Sequence, residues 1–290
     1  MNTAARQVSV EARSLDSSAL PDRDPALISF SEVAKEFRTA AGPLLAVRNV
    51  NLDVRPGEIV TLVGPSGCGK STLLNMTAGL FSPTAGRVTY SGRLVTALNR
   101  RTGYMTQNDH LLPWRDVQGN IAVPLEIAGA SRTDIRARVA TLIALVGLTG
   151  FESAYPGQLS GGMRKRAALA RLLAYDPETL LLDEPFAALD AQLRLAMQKE
   201  LFGISRRLGK TILFVTHDLD EAVALGDRIA VFSPRPGTIR QIVPSPLPPD
   251  RDLAQLRRNP DYVRLTADLW ELVAPSDETP AGAQQDGARS

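Results

Sequence analysis

The sequence predicts an α/β fold built on a mostly parallel sheet. Three short apolar runs carry that expectation: GEIVTLVG (57–64), TLLLD (179–183) and TILFVTH (211–217) each read as a buried strand. Segments of helical period separate them, and strands alternating with helices imply crossover connections within one sheet.

Taken in order, residues 1–25 mix Arg, Asp, Glu and Ser without an apolar centre, so they read as a disordered leader rather than a secretion signal. From Leu27 to Val54, β-rich segments alternate with polar turns. The strand at 57–64 runs into a glycine-rich loop, and a helix is expected from Gly69 or Lys70 to near Gly79. Strand-like pieces follow at 87–90 and 102–106. From about 116 to 175 the pattern is helical, with Ile135, Val139, Leu142, Ile143 and Val146 on one face. Leu193, Met197, Leu201, Ile204 and Leu208 form a second such stripe. The prolines at 234, 236, 244, 246, 248 and 249 mark 234–249 as a connector rather than core. Residues 250–274 then suggest a last amphipathic helix, with Tyr262, Thr266, Leu269, Trp270 and Val273 as its stripe. That helix is expected to modulate activity without entering the chemistry. After Pro275 the chain reads as a frayed tail.

Composition excludes several functions. A net charge of +2 gives no footprint for nucleic acid, and Arg164–Lys165–Arg166 reads as a solvated helix face. The single cysteine, Cys68, rules out an internal disulfide and suits a reducing compartment. No run approaches the roughly 18 apolar residues that span a bilayer. Any work at a membrane would therefore be done from the side.

The chemistry is concentrated in three places. GPSGCGKS (64–71) fits the phosphate-binding pattern G-x-x-x-x-G-K-[ST], with a strand before it and a helix after it. Gly64, Gly67 and Gly69 allow backbone N–H groups to converge on an anion, and the following helix presents its positive end. Lys70 supplies a charge for β- and γ-phosphates, and Ser71 a hydroxyl for Mg²⁺. In LLLDEP (180–185), a strand ending in Asp183 delivers a carboxylate to the edge where α/β sheets bind ligands. Glu184 beside it is placed to polarise an attacking water. LSGGMRKR (159–166) puts Ser160, Gly161 and Gly162 before a helix, a second anion-receiving end that one nucleotide would not need.

This set, with Gln107, AALD (187–190) and His217, resembles the ATP-binding cassette ATPases of ABC transporters, over roughly residues 25–235. The resemblance implies a P-loop NTPase core over 26–235, with an antiparallel β subdomain and a helical signature subdomain at about 108–175. Residues 236–290 would form a Pro-rich linker, terminal helix and tail. It implies a homodimer that sandwiches two ATP molecules. Residues 64–72 (Gly64, Pro65, Ser66, Gly67, Cys68, Gly69, Lys70, Ser71 and Thr72) would hold one face of each ATP. Ser160, Gly161 and Gly162 of the opposite subunit would hold the other. His217 would contact the γ-phosphate, and Gln107 would sense Mg²⁺ and the water. Asp183 would hold the metal, Glu184 would act on the water, and Asp190 would link the two sites. Phe37, 27 positions before Gly64, stands where the family stacks an aromatic on adenine. Met163 and Ala187 depart from the commoner Gln and Ser of the family without removing charge.

A single cassette with no membrane segment resembles the ATPase subunit of a bacterial importer. LLPW (111–114) and SPRPG (233–237) resemble the nitrate, sulfonate and taurine group. Such a subunit would sit on the cytoplasmic face of the membrane, with a separate permease and an external solute-binding protein. The stretch YMTQNDHLLPWRD (104–116) has neither strand nor helix period. In the family the segment after Gln107 receives a coupling helix of the permease, so Leu111, Leu112 and Trp114 are expected to be exposed for that partner. The competing reading is a non-transport ATPase, an ATP-gated clamp on a protein or nucleic acid. Cys68, between two glycines of the phosphate loop, is a further expectation as a redox-sensitive point.

Overall fold

A computed structural model describes residues 25–187 and 189–274. The expected tail, and the leader apart from Pro25, lie outside the described residues. The chain runs β1 (Ile28–Thr39), β2 (Gly42–Val54), β3 (Ile59–Val63), α1 (Lys70–Thr77), β4 (Ala85–Tyr90), β5 (Arg93–Leu94) and β6 (Thr102–Met105). Then come α2 (Val117–Ile127), α3 (Arg132–Leu145), α4 (Gly161–Tyr175), β7 (Thr179–Asp183), α5 (Ala191–Leu208) and β8 (Thr211–Val215). The last elements are α6 (Leu219–Leu225), β9 (Arg228–Phe232), β10 (Ile239–Pro244) and α7 (Pro260–Val273).

The three apolar runs become β3, β7 and β8, neighbours in a six-stranded sheet of order β10-β9-β3-β8-β7-β6. All its pairs are parallel except β9 with β10. Alternation explains why the strands are apolar on both faces. Ile59, Leu180, Leu182, Ile212 and Phe214 enter a core under the helices. Val60, Leu62, Leu181, Leu213 and Val215 enter a second core with α1 and the antiparallel sheet β2-β1-β4-β5. Buried on both faces, the strands are apolar except at Thr61, Thr179 and Thr211, which make hydrogen bonds, and at Asp183 on the strand end.

Helix starts follow local chemistry. Asp116, Ser131, Ser160, Asp190, Asp218 and Asn259 each accept a backbone N–H from the first turn of the helix they open. Among the described α-helices, α1 alone has no side-chain cap; Gly69 stands at its start. Its free donors face the phosphate loop.

Several expectations need correction. The stretch 234–249 is not merely a connector, because Ile239–Pro244 pairs with β9 and extends the sheet. Nearby, Gly237 donates its N–H to Ala46 and accepts from Arg48 at 2.9 Å each. In the expected stripes, Leu208 (59% exposed) and Trp270 (63% exposed) point outward, while Met197, Leu201, Ile204, Tyr262 and Leu269 are buried. Leu111 is buried in the helical core rather than exposed. The basic run 164–166 does not form a solvated face: its side chains are spent on carbonyls and carboxylates of other elements, as detailed below.

Candidate active site

The phosphate loop joins the C-terminal end of β3 to α1. Gly69 adopts φ 98°, and a Cβ there would lie 2.3 Å from Val47 Cγ1, so the turn requires glycine. Gly67, at φ 74°, would place its Cβ in open space. Lys70 is buried and folds into that loop. Its Nζ donates to Gly64 O at 2.7 Å and Pro65 O at 2.9 Å, and lies 3.6 Å from Cys68 Sγ. Cys68 is itself fully buried, so it does not offer the accessible thiol that a redox-sensitive point requires.

The strand ends bring the carboxylates to the same place. Ser71, one residue into α1, stands beside Asp183 at the end of β7. Burial raises the Asp183 carboxyl above its ordinary range, the nearby Ser71 hydroxyl opposes the shift, and the neighbouring Glu184 charge adds to it. Glu184 turns off the strand at φ 48°, an uncommon conformation for a non-glycine residue. Its backbone is pinned by donation to Val215 O of β8 at 2.9 Å. The side chain then meets two others, with Oε1 3.3 Å from His217 Nδ1 and Oε2 accepting from Gln107 Nε2 at 3.3 Å. Two residues 110 positions apart (217 − 107) thus converge on one carboxylate.

Other expected site residues stand apart from this centre. Ser160 is exposed and caps α4 by accepting from Met163 N at 3.2 Å, with Gly161 and Gly162 in the first turn. The Met163 side chain packs against the helical core. Asp190 is exposed and caps α5 by accepting from Leu193 N at 3.0 Å. Phe37, half-buried on β1, meets Phe81 edge-on with ring centroids 5.3 Å apart, and the Lys35 ammonium stands over both rings. None of these hydrogen bonds or ring contacts reaches the Lys70–Glu184 centre.

The segment after Gln107 is held by residues that no motif marks. Lys165 is buried and donates to Gln107 O. Burial lowers its pKa, opposed by the carboxylates of Asp109, Asp183 and Glu184. Arg171 donates to His110 O at 2.8 Å and Asp109 O at 2.9 Å, and Arg164 pairs with Asp109 at 3.1 Å. Arg166 donates to Val146 O at 3.0 Å and Gly147 O at 2.7 Å, satisfying carbonyls just beyond α3. Fully buried Asn120 accepts from Leu112 N at 2.7 Å and donates to the carbonyls of Leu112, Arg115 and Asp116. The stretch 107–116 is an ordered loop clamped by α2 and α4. The only hint in its sequence is an aperiodic run that still contains several polar residues.

Comparison with known proteins gives this arrangement a family. The family described as ABC transporter matches residues 47–187. The aliphatic sulfonates import ATP-binding protein SsuB of Bacillus cereus is 41% identical over 221 residues, covering 76% of this chain and 87% of that protein. The taurine import ATP-binding protein TauB of Yersinia pestis is 47% identical over 194 residues, covering 67% and 76%. The chain belongs to the ATP-binding proteins of ABC transporters. A solved structure, the ATP-binding cassette MJ0796 as a dimer in a post-hydrolysis state with ADP and Pi, superposes at a TM-score of 0.70. It is 31% identical, over 75% of this chain and 98% of that one. The fold is therefore that of an ABC ATPase, and ATP is the nucleotide this cassette binds and hydrolyses. No helix among the described residues is long and apolar enough to cross a membrane.

Proposed function

We propose that the chain is the ATP-hydrolysing subunit of a bacterial importer, energising uptake of a small anionic solute through a separate permease. One observation carries the hydrolytic part: the Glu184 carboxylate, beside the phosphate loop, bridges Gln107 and His217 at 3.3 Å on each side. A carboxylate held this way can accept a proton from a water aimed at the γ-phosphate. His217 would donate to a γ-phosphate oxygen, and Lys70 would exchange its two loop carbonyls for phosphate oxygens, which are charged and stronger acceptors. Phe37 would stack on the adenine.

The donor set also fits Mg²⁺. Ser71 and Asp183 stand beside each other at the loop, and Gln107 offers a neutral oxygen. No group of three or more His, Cys, Asp or Glu side chains suited to a metal occurs among the described residues. When bound, Mg²⁺ would offset charge on the β- and γ-phosphates.

The exposed start of α4 at Ser160 supports a homodimer in which each subunit lends this segment to the other's ATP, with Asp190 near the seam. The dimeric neighbour is consistent with that reading. Steady-state ATPase and size-exclusion chromatography of Glu184→Gln test both claims. Turnover is expected to fall on the order of a hundredfold or more, with ATP-dependent dimerisation retained. A Glu184→Gln chain that stays monomeric in saturating Mg-ATP would overturn the sandwich. Unchanged turnover would show that Glu184 does not act on the attacking water.

For the permease, the structure offers a groove of about 450 Å³ whose apolar lining includes Leu80, Leu98, Leu112, Val123, Ile127 and Leu172. Leu98 is 63% exposed and Ile127 82%, an apolar concentration of the kind that marks a protein partner. Trp114 lies outside this lining but is 70% exposed two residues beyond Leu112. A coupling helix seated in the groove would touch the loop whose other end is Gln107. Ile127→Asp and Trp114→Ala are each expected to weaken permease association by about 2 kcal/mol, leaving basal ATPase and melting temperature unchanged. Pull-down with the permease and transport in reconstituted vesicles measure this, and unchanged association in both variants would rule the groove out. The relatives SsuB and TauB support a sulfonate-type solute within the nitrate, sulfonate and taurine group. The permease and an external binding protein would make the selection, with this subunit on the cytoplasmic face.

A further inference from the structure

The helix that follows His217 is gripped from the C-terminal end of the described chain. α6 has seven residues, under two turns, too few to hold helical geometry unaided. Its first turn is closed around His217. Asp218 Oδ1 accepts from Glu221 N at 3.2 Å, and Thr216 Oγ1 donates to buried Glu221 at 2.8 Å. Arg194 of α5 reaches the same turn, 3.2 Å from Asp218, and donates to Leu189 O at 3.1 Å.

The segment after β10 holds both ends of this helix. Tyr262, in the first turn of α7, donates its hydroxyl to Asp220 Oδ1 at 2.5 Å. Burial and the Asp220 carboxylate raise the phenol above its ordinary range, so it remains a donor at neutral pH. At the other end Arg251 donates through Nε to Ala224 O and through Nη2 to Gly226 O, both at 2.8 Å. The last carbonyls of a helix have no intrahelical donor, and a cation at that end suits the helix dipole. Arg251 is 7% exposed, its guanidinium 4.8 Å from the centre of the Phe202 ring and 3.8 Å from Asp227. Burial pulls its pKa down to about 10, which leaves it charged at neutral pH. Leu253, Leu256, Leu265 and Leu269 back these polar grips in the same core as Leu219, Ala222 and Val223.

We propose that Arg251 and Tyr262 are positioning residues for hydrolysis: by gripping α6 at both ends they fix the helix start that sets His217 against Glu184. This rests on the reading of His217 as part of the hydrolytic site. Neither residue shares a hydrogen bond with Lys70, Asp183, Glu184 or Gln107, so their action is through α6. A 3.3 Å contact leaves little slack, because a hydrogen bond is lost within a few tenths of an ångström beyond that distance, and small misplacements are costly in rate.

Tyr262→Phe in the full chain removes one hydroxyl and keeps the ring. At saturating Mg-ATP its kcat is expected to fall about tenfold, equivalent to ~1.4 kcal/mol, with KM for ATP unchanged. Arg251→Lys, which keeps the charge, is expected to retain more activity than Arg251→Met. The decisive measurement is a double-mutant cycle read by long-incubation phosphate release. If Tyr262 acts through His217, Tyr262→Phe costs nothing further in a His217→Gln background. Hydrogen exchange at amides 219–225 is expected to quicken in Tyr262→Phe while α1 is unchanged. The same fold loss in both backgrounds, or an unchanged kcat beside an impaired His217→Gln, overturns the positioning role alone. A His217→Gln enzyme at the wild-type rate would overturn the site reading and the positioning role with it.

Discussion

Lys70 and Lys165 are both buried, and both give their ammonium groups to main-chain carbonyls, yet their surroundings assign them opposite tasks. Lys70 is held by carbonyls five and six residues away, in a glycine turn with open space beside Gly67. A charged phosphate can replace those neutral acceptors without disturbing any other element. Lys165 reaches a carbonyl 58 residues away, at Gln107. Around that contact Arg164 and Arg171 hold the same loop, and three carboxylates favour the lysine's charge against the cost of burial. One lysine is arranged to be handed to a ligand. The other ties the helix after the signature to the segment that carries Gln107 and borders the apolar groove.

The largest effect that would break this comparison is on binding. Lys70→Ala is expected to weaken ATP binding on the order of a hundredfold, about 2.7 kcal/mol, the scale of a charge-assisted contact to phosphate. Equilibrium titration with a fluorescent nucleotide measures it. Retained affinity would mean that the loop backbone alone holds the phosphates.

Lys165→Met is expected to act differently. It keeps the stem and removes the ammonium, so ATP affinity should stay within about twofold while kcat falls by roughly tenfold, ~1.4 kcal/mol, through a loosened Gln107. If affinity falls as far as in Lys70→Ala, the two lysines do the same work and the contrast is wrong. Full activity in Lys165→Met would show that Arg164, Arg171 and Asn120 hold the segment without it.

The smallest effect concerns a buried charge near neither lysine. Burial raises the Glu221 carboxyl above its ordinary value, with Thr216 and Arg194 opposing the shift. A folded-state pKa above the unfolded one means that the folded chain binds the proton more tightly. This contribution is therefore present below the ordinary glutamate range and is lost as pH rises through the raised value. Glu221→Gln is expected to flatten that decline, changing the melting temperature by about 2 °C or less across pH 4.5–7. An unchanged or steeper pH dependence of the melting temperature in Glu221→Gln would show that the Thr216 and Arg194 contacts outweigh burial.

What the sequence determined by itself was whatever chain-local geometry imposes. Glycines at 64, 67 and 69 followed by Lys70 and Ser71, carboxylates at a strand's end, and a histidine after the next strand can be read without a partner, because backbone conformation and strand direction place them. The largely apolar runs of β3, β7 and β8 were legible for the same reason: two buried faces leave few polar positions. Tertiary structure alone decided the rest. The basic run 164–166 reads as a surface face until Gln107, Asp109 and the end of α3 are seen against it. Leu111 and Trp114 are indistinguishable in an aperiodic loop, yet Asn120 and Arg171 fold that loop so that one is buried and the other is 70% exposed. Residues 239–244, flanked by prolines, became a strand because β9 offered an open edge. Each of these depends on a group dozens of residues distant, whose approach is set by the packing of whole elements, and no local pattern encodes which carbonyl a long cationic side chain will reach.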